Sequence, residues 1–506
     1  MKNKIHFFLA GALLFTLITG CKSKSTSELN ANVAAFVSNS DKVVAYGYLD
    51  FTSIEKKAGL TQIPELGSFV QEQLASIRGG LRLSDKIHFA LEGPLDREGI
   101  PSSSYIFMSI ENKDSLQLMF EEMGFFFEKE KDLMVFYDMN MAIAFNESTV
   151  VWINQDFSEN EPIDLLENTF AILKSESKEE RVTKVLAQES DLLIASHLEN
   201  LYKTSNTSLK NLSKEQQEEI DDIVEDGHLF STLDFNDGNL TAKLNASNVS
   251  DDFKAVQIFK EKGAHEVIKN IGPGAPLFAM TLALDVERLE DYLTEQFLSD
   301  TDKSLFSLFG TQGQLIESMV GDELSDITDG NIGMMFKNGE NTNGMGGIPM
   351  VNIYLGLGNE TDNLMDLLQT YTEEGTVKDL GDGYYQFIQG IALIKDNSVV
   401  MQSGAESKAS FKVAPLTEIS EMKDFGDQPF SLYIDLKNII GSDVDITRGN
   451  NFMQLLFQLS DHFSIDGNNE EIVAKLVLKD KNTNILKQLV KSFEEELKDQ
   501  VGNISF

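Results

Sequence analysis

The sequence predicts an α+β protein of two tandem, similar lobes, each with a mostly antiparallel sheet and short packed helices. Three observations carry this. Short apolar stretches alternate with turn residues, and many consecutive strands are joined by a few polar residues, which antiparallel pairing permits and parallel pairing does not. A helical pattern occurs twice at one constant separation: Leu116, Met119, Phe120 and Met123 stand at i, i+3, i+4 and i+7, and Leu364, Leu367, Leu368 and Tyr371 repeat that spacing 248 positions on. With 506 residues, 42% of them hydrophobic, the chain is long enough for two cores.

At the start of the chain, Lys2 and Lys4 precede an apolar run from Ile5 to Ile18 that ends in Ile18-Thr19-Gly20-Cys21. A basic start, a short apolar core and small residues before a cut are the layout of a signal peptide. The run is shorter than the roughly 20 residues a membrane span needs. Its last four residues resemble the lipobox of bacterial lipoproteins, and Cys21 is the only cysteine in the sequence. The resemblance implies cleavage between Gly20 and Cys21 and acylation of Cys21, palmitate included. One acyl chain holds a membrane weakly, with a constant of about 10⁴ M⁻¹, whereas two or more hold firmly. Residues 1–20 are then a signal peptide and 21–32, opening Lys-Ser-Lys-Ser-Thr-Ser after the cysteine, a flexible lipidated tether. The tether is basic until Glu28, which favours a periplasm-facing outer-membrane anchor over display at the cell surface.

The first lobe is expected over 33–271. Val43 to Leu49 reads as a strand entering a helix begun by Asp50, a favourable N-cap. A helix from Ser68 to Ile77, strands at Lys86–Glu92 and Tyr105–Ile110, the Leu116 helix behind Asp114, and a hairpin ending in Thr149–Ile153 follow. Gly272-Pro-Gly-Ala-Pro276 reads as a linker. The second lobe, 277–506, restates the plan: a strand to Leu284, a helix begun by Asp285, a strand at Val351–Gly356, the Leu364 helix behind Asp362, and a hairpin ending in Ser398–Met401. Ser196–Leu201 answers Ile434–Ile439 at an offset of 238, and Thr241–Leu244 answers Val473–Leu476 at 232. Shorter loops in the second half account for the drift. A closing helix is expected from Ile485 to about Leu497.

Together the lipobox, the tether, the strand and Asp-started helix of Val43 to Leu60, and some five hundred residues of α+β pattern resemble the large uncharacterised lipoproteins common in Bacteroidota. That resemblance implies an anchored, extracytoplasmic protein. The family is a domain of unknown function and carries over no catalytic residues.

Charge narrows the partners. Loss of Lys2 and Lys4 moves the formal charge from −39 to −41, a field that repels nucleic acid and anionic membrane surfaces. The absence of cysteine after Cys21 excludes disulfides, thiol catalysis and thiolate zinc sites. Calcium loops need oxygen ligands at fixed short spacings; Asp234-Phe-Asn236-Asp237-Gly238 and Asp466-Gly467-Asn468-Asn469 miss them and read as hairpin turns. His88, His197, His228, His265 and His462 show no metal spacing and read as ordinary strand or surface histidines. Neither a Gly-x-Ser-x-Gly elbow nor a phosphate loop is present, and Gly356-Leu-Gly358 reads as a turn into the next helix. The acidic pairs Glu121-Glu122, Asp221-Asp222 and Glu494-Glu495-Glu496 read as solvated helix faces.

One loop stands out, Lys337 to Pro349, glycine-rich and flanked by Met334, Met335, Met345 and Met350. Long loops of this kind often carry binding, and Asn343, Met345, Ile348 and Met350 are its candidate contacts. The expected function is therefore a membrane-anchored, non-catalytic binding or scaffold protein of the envelope, with a protein or glycan partner and no cofactor. A carboxylate hydrolase of envelope polymers and a periplasmic carrier or chaperone are the alternatives.

Overall fold

Leu29, Val33, Phe36 and Val37 recur at helical spacing and are all buried, so helix α1 spans Glu28–Asn39. The computed structural model describes residues 28–60, 67–96, 99–157, 162–204, 227–247, 257–297, 324–338, 350–359, 361–416, 420–440 and 456–492. The signal peptide and Cys21 lie outside them. A tether to residue 32 needs correction, because residues 28–32 open α1 and Leu29 is 3% exposed within the core.

Contacts divide the chain into Met1–Ser250 with Asp480–Phe506, the first lobe, and Asp251–Lys479, the second. The first lobe runs β1 (Val43–Leu49), α2 (Phe51–Ala58), α3 (Gly67–Gly80), β2 (Ile87–Leu95), β3 (Pro101–Ser109), α4 (Lys113–Glu122), β4 (Glu128–Glu130), β5 (Leu133–Tyr137), β6 (Met141–Phe145) and β7 (Thr149–Asn154). It continues with α5 (Pro162–Leu173), α6 (Glu180–Leu186), β8 (Leu192–His197), α7 (Leu198–Thr204), β9 (His228–Asn236) and β10 (Asn239–Ser247). Every pairing is antiparallel, in the order β4-β5-β6-β7-β3-β2-β1-β8-β9-β10.

The second lobe repeats that order. It comprises α8 (His265–Asn270), β11 (Phe278–Ala283), α9 (Val286–Phe297), α10 (Leu324–Ile327), β12 (Thr328–Lys337), β13 (Met350–Leu357), α11 (Thr361–Glu373) and β14 (Lys378–Gly381). Then come β15 (Tyr384–Phe387), β16 (Gly390–Lys395), β17 (Ser398–Ser403), β18 (Phe430–Ile434), α12 (Leu436–Ile440), β19 (Ser460–Gly467) and β20 (Glu471–Leu478). The sheet runs β14-β15-β16-β17-β13-β12-β11-β18-β19-β20, again antiparallel throughout. Among the described residues, then, two similar α+β lobes follow one strand plan.

Local chemistry explains the elements. Asp50 accepts the Ser53 N–H at 2.8 Å and caps α2 as expected. At α4 the cap is Asn112, through Ser115 N–H at 2.9 Å; Asp114 sits inside the first turn, where its charge suits the helix dipole. Asp362 likewise lies within α11. Helix α4 buries Leu116, Met119 and Phe120 beneath β6 and β7, while Met123 ends the helix at 40% exposure. Both faces of β7 are covered: Val151 and Ile153 join the α1, α5 and α6 side, Val150 and Trp152 the α3 and α4 side. A strand covered twice reads as one apolar run, which is why Thr149-Val-Val-Trp-Ile does not alternate.

Two boundaries differ from the sequence reading. Gly272 exchanges backbone hydrogen bonds with Ala414 at 3.0 and 2.7 Å, and Val267 and Ile271 of the preceding segment are buried in the second core. The 272–276 stretch is thus a turn pinned inside the second lobe, not a joint between lobes. The closing helix, observed over 485–492, returns to the first lobe. There the Gly238 N–H reaches Thr483 O at 2.9 Å, and Asn484 Nδ2 donates to Phe235 O at 2.8 Å.

The drift in offset also has a physical origin. From Thr149 to Ser398 the separation is 249, and from Leu192 to Phe430 it is 238. Helices α5 and α6 occupy the intervening stretch in the first lobe; the matching stretch of the second holds only a 3₁₀ turn at Ser420–Met422 among its described residues.

One buried ion pair knots the first lobe. The Asp191 carboxylate, 2% exposed, takes Lys57 Nζ at 2.6 Å, Ser53 Oγ at 2.6 Å and the Phe235 N–H at 2.6 Å, while its backbone O takes the Asp50 N–H at 2.7 Å. It thereby joins β1, α2, β8 and β9.

Candidate functional site

The lipidation residues Gly20 and Cys21, and Asn343, Met345 and Ile348 of the proposed binding loop, lie outside the described residues. Met350 opens β13 opposite Lys337 and is half-buried. Met335 is fully buried in the second core, whereas Met334 is half-buried, so adjacent methionines serve opposite faces of the strand. Glu121 and Glu122 lie on α4, where Glu121 accepts from Gln117 Nε2 at 2.8 Å. Asp221-Asp222 and Glu494–Glu496 lie outside the described residues.

Gly356 and Gly358 have a packing reason. A Cβ at Gly356 would stand 1.9 Å from Asp329 Oδ1, and one at Gly358 2.0 Å from Ser325 O. The close approach of α10 and β12 requires these glycines, in keeping with a turn. Asp234–Gly238 forms the β9–β10 hairpin, with Gly238 at φ 66°. Asp466–Asn469 forms the β19–β20 hairpin.

The histidines divide. His265 is exposed, 3.8 Å from Asp427, and His462 is buried on β19 beside Tyr433. His88 is fully buried on β2, its Nε2 2.7 Å from Asn30 Oδ1. Burial pushes its imidazole from the ordinary 6.5 down to about 3. The unfolded chain takes up a proton between those values that the folded chain refuses, so this contribution is fully present above pH 6.5 and lost as pH falls towards 3. Each such proton accounts for at most about 1.4 kcal/mol per pH unit. We expect His88→Gln to flatten that part of a urea-midpoint profile; an unchanged slope would assign the titration elsewhere.

His197 and His228 come together with Glu179, which sequence reasoning missed. They are directly opposed at the end of the β8–β9 ladder, with ring centroids 4.6 Å apart. The Glu179 carboxylate approaches His228 Nε2 at 3.4 Å and His197 Nε2 at 3.9 Å. The ring edges of His197 and then His228 hold that carboxyl down at about 2, and burial lowers His228 below its ordinary value. Among the described residues this is the one group of three metal-ligating side chains within 4.8 Å of one another. Residues 198–227 stand between the two histidines along the chain and hide the pairing from any short motif.

The second lobe carries two further features. A cleft of about 250 Å³ is lined by Asp424, Asp427, Asp466, Glu471 and Lys475. Burial raises the Asp466 carboxyl, opposed by a hydrogen bond from Ser431 Oγ at 2.9 Å. The other feature is a sheet face. Rows across β12, β11, β18 and β19 read Phe336-Phe278-Ile434-Phe463 and Met334-Met280-Leu432-Ile465. Each of these side chains is half-buried, and the rows hold no charge. At the sheet's flanks Met401 and Ile472 are 39% and 37% exposed.

Fold and site together define a two-lobed antiparallel α+β protein with a His₂Glu cluster and an apolar sheet face. No family model and no curated relative matches the chain. Among solved structures, crystal form I of TP0453 is similar at a TM-score of 0.27 and 12% identity, over 45% of this chain and 82% of that one. Crystal form IV gives 0.28 and 12% over 45% and 87%, and crystal form III gives 0.23 and 8% over 75% and 94%. No helix among the described residues is long and apolar enough to cross a membrane.

Proposed function

We propose that the chain is a non-catalytic, lipid-anchored protein of the cell envelope, held at the periplasmic side of the outer membrane through Cys21, which takes a protein partner on the apolar sheet face of its second lobe. That face carries the reading. Aromatic and methionine side chains in uncharged rows are the composition of a protein interface core, and methionine adapts its shape to what it meets. The anchor rests on Ile18-Thr19-Gly20-Cys21 behind a basic, apolar leader.

A photoreactive residue at Met401, with protein recovered from intact cells, tests the face. We expect a defined crosslinked protein that disappears when Ile353→Lys, directly opposite Met401 on the paired strand, places a charge beside the probe; crosslinks to lipid alone would overturn the reading. Cys21→Ala tests the anchor separately. The variant is expected to leave the membrane fraction, and one that stays there contradicts lipidation.

A further inference from the structure

We propose that Glu179, His197 and His228 form a zinc site in the first lobe. Two imidazoles and a carboxylate, with a water in the fourth position, are an established donor set for this ion. Opposed residues in an antiparallel ladder project to the same side, so the β8–β9 register brings the two imidazoles together. Glu179 stands at the N-cap position of α6, yet its side chain makes no capping hydrogen bond and turns to the imidazoles instead.

His228 also points to a ligand. Its ring is fully buried, and its Nε2 makes no well-aligned hydrogen bond, the Glu179 carboxylate standing off at 3.4 Å. A buried polar atom left in that state is costly unless something fills it. On the other side of the ring, Nδ1 lies 3.2 Å from the Tyr46 hydroxyl. A proton held there against the phenol oxygen leaves the Nε2 lone pair aimed at Glu179, the outer-shell arrangement that orients a histidine ligand.

The fit is close. Tetrahedral zinc, with bonds of about 2.0–2.2 Å, sets its ligand atoms roughly 3.3–3.5 Å apart. Glu179 Oε2 and His228 Nε2 are already at 3.4 Å, His197 Nε2 faces the other carboxylate oxygen at 3.9 Å, and the three ligand atoms, within 4.8 Å of one another, draw in to close on an ion. Binding through His197 Nε2 shifts its ring proton to Nδ1 and gives up the contact from the Asn200 N–H, which at 3.5 Å is worth little. The positive field of Arg181 reaches His228 and opposes a cation, which makes the Glu179 charge necessary. Glu179 is 32% exposed and gives the ion an entry path.

The test uses the full chain in detergent, stripped with chelator, dialysed with zinc and then freed of excess. We expect one zinc per chain, a higher melting temperature, and with cobalt the visible bands of a four-coordinate ion. Glu179→Gln should bind at least roughly ten-fold more weakly while its far-ultraviolet circular dichroism matches the wild type. His228→Gln should bind no zinc. Absence of bound zinc in the wild type overturns the proposal, as does equal binding by E179Q, which would place the ion on the acidic surface. Neither result bears on the sheet face or the anchor.

Discussion

Asp191→Ala is expected to destabilise the first lobe by about 3 kcal/mol. Breaking a buried ion pair by removing one partner costs about 3–5 kcal/mol, because the remaining groups stay desolvated. Lys57 is 28% exposed and swings towards water, which places the expectation at the lower end. The Phe235 N–H has no such freedom. Asp191→Asn keeps an oxygen acceptor but turns an amide donor towards Lys57 or the Phe235 N–H, so about 2 kcal/mol is expected. Urea unfolding followed by the fluorescence of Trp152, the only tryptophan, measures both. A change within about 0.5 kcal/mol, ordinary for surface substitutions, would show that the knot contributes nothing.

Phe120→Ala is expected to cost about 3–5 kcal/mol, the range for deleting a fully buried aromatic ring. Phe120 is 1% exposed, with ring centroids of Phe127, Phe125 and Phe145 at 5.3, 6.0 and 6.3 Å. Aromatic pairs at such distances add about 0.5–1.5 kcal/mol beyond area burial. Trp152 lies 6.4 Å from Phe125 and reports on this cluster directly. The counterpart 248 positions on, Leu368, packs with Val377 and Tyr385 at 6% exposure. Its replacement by alanine should cost less, about 2–3 kcal/mol. An equal or larger loss at Leu368 would contradict this difference between the two cores.

Much of this plan is legible in the sequence because side-chain periodicity survives where a helix buries one face. Leu116 and Leu364 match on spacing alone, and Asp50 is recognisable as a cap because its side chain acts three residues away. What stays hidden does so for the opposite reason. Glu179, His197 and His228 are brought together by strand register, and no local spacing records register. Gly272–Pro276 has linker composition, but the bridge from Gly272 to Ala414 fixes it from far along the chain. The first turn of α1 has the composition of a tether because Leu29 stands alone among polar neighbours until Val33 joins it.

The return of residues 480–492 to the first lobe makes the second an insertion within it. Synthesis from the amino end presents Gly238 and Phe235 long before Thr483 and Asn484 arrive to meet them. Among the described residues the second lobe holds its strands by residue 479, so it can close first. Completion of the amino-terminal body is thus timed by a segment that follows the whole second lobe, and damage near residue 484 is felt in the lobe that was made first.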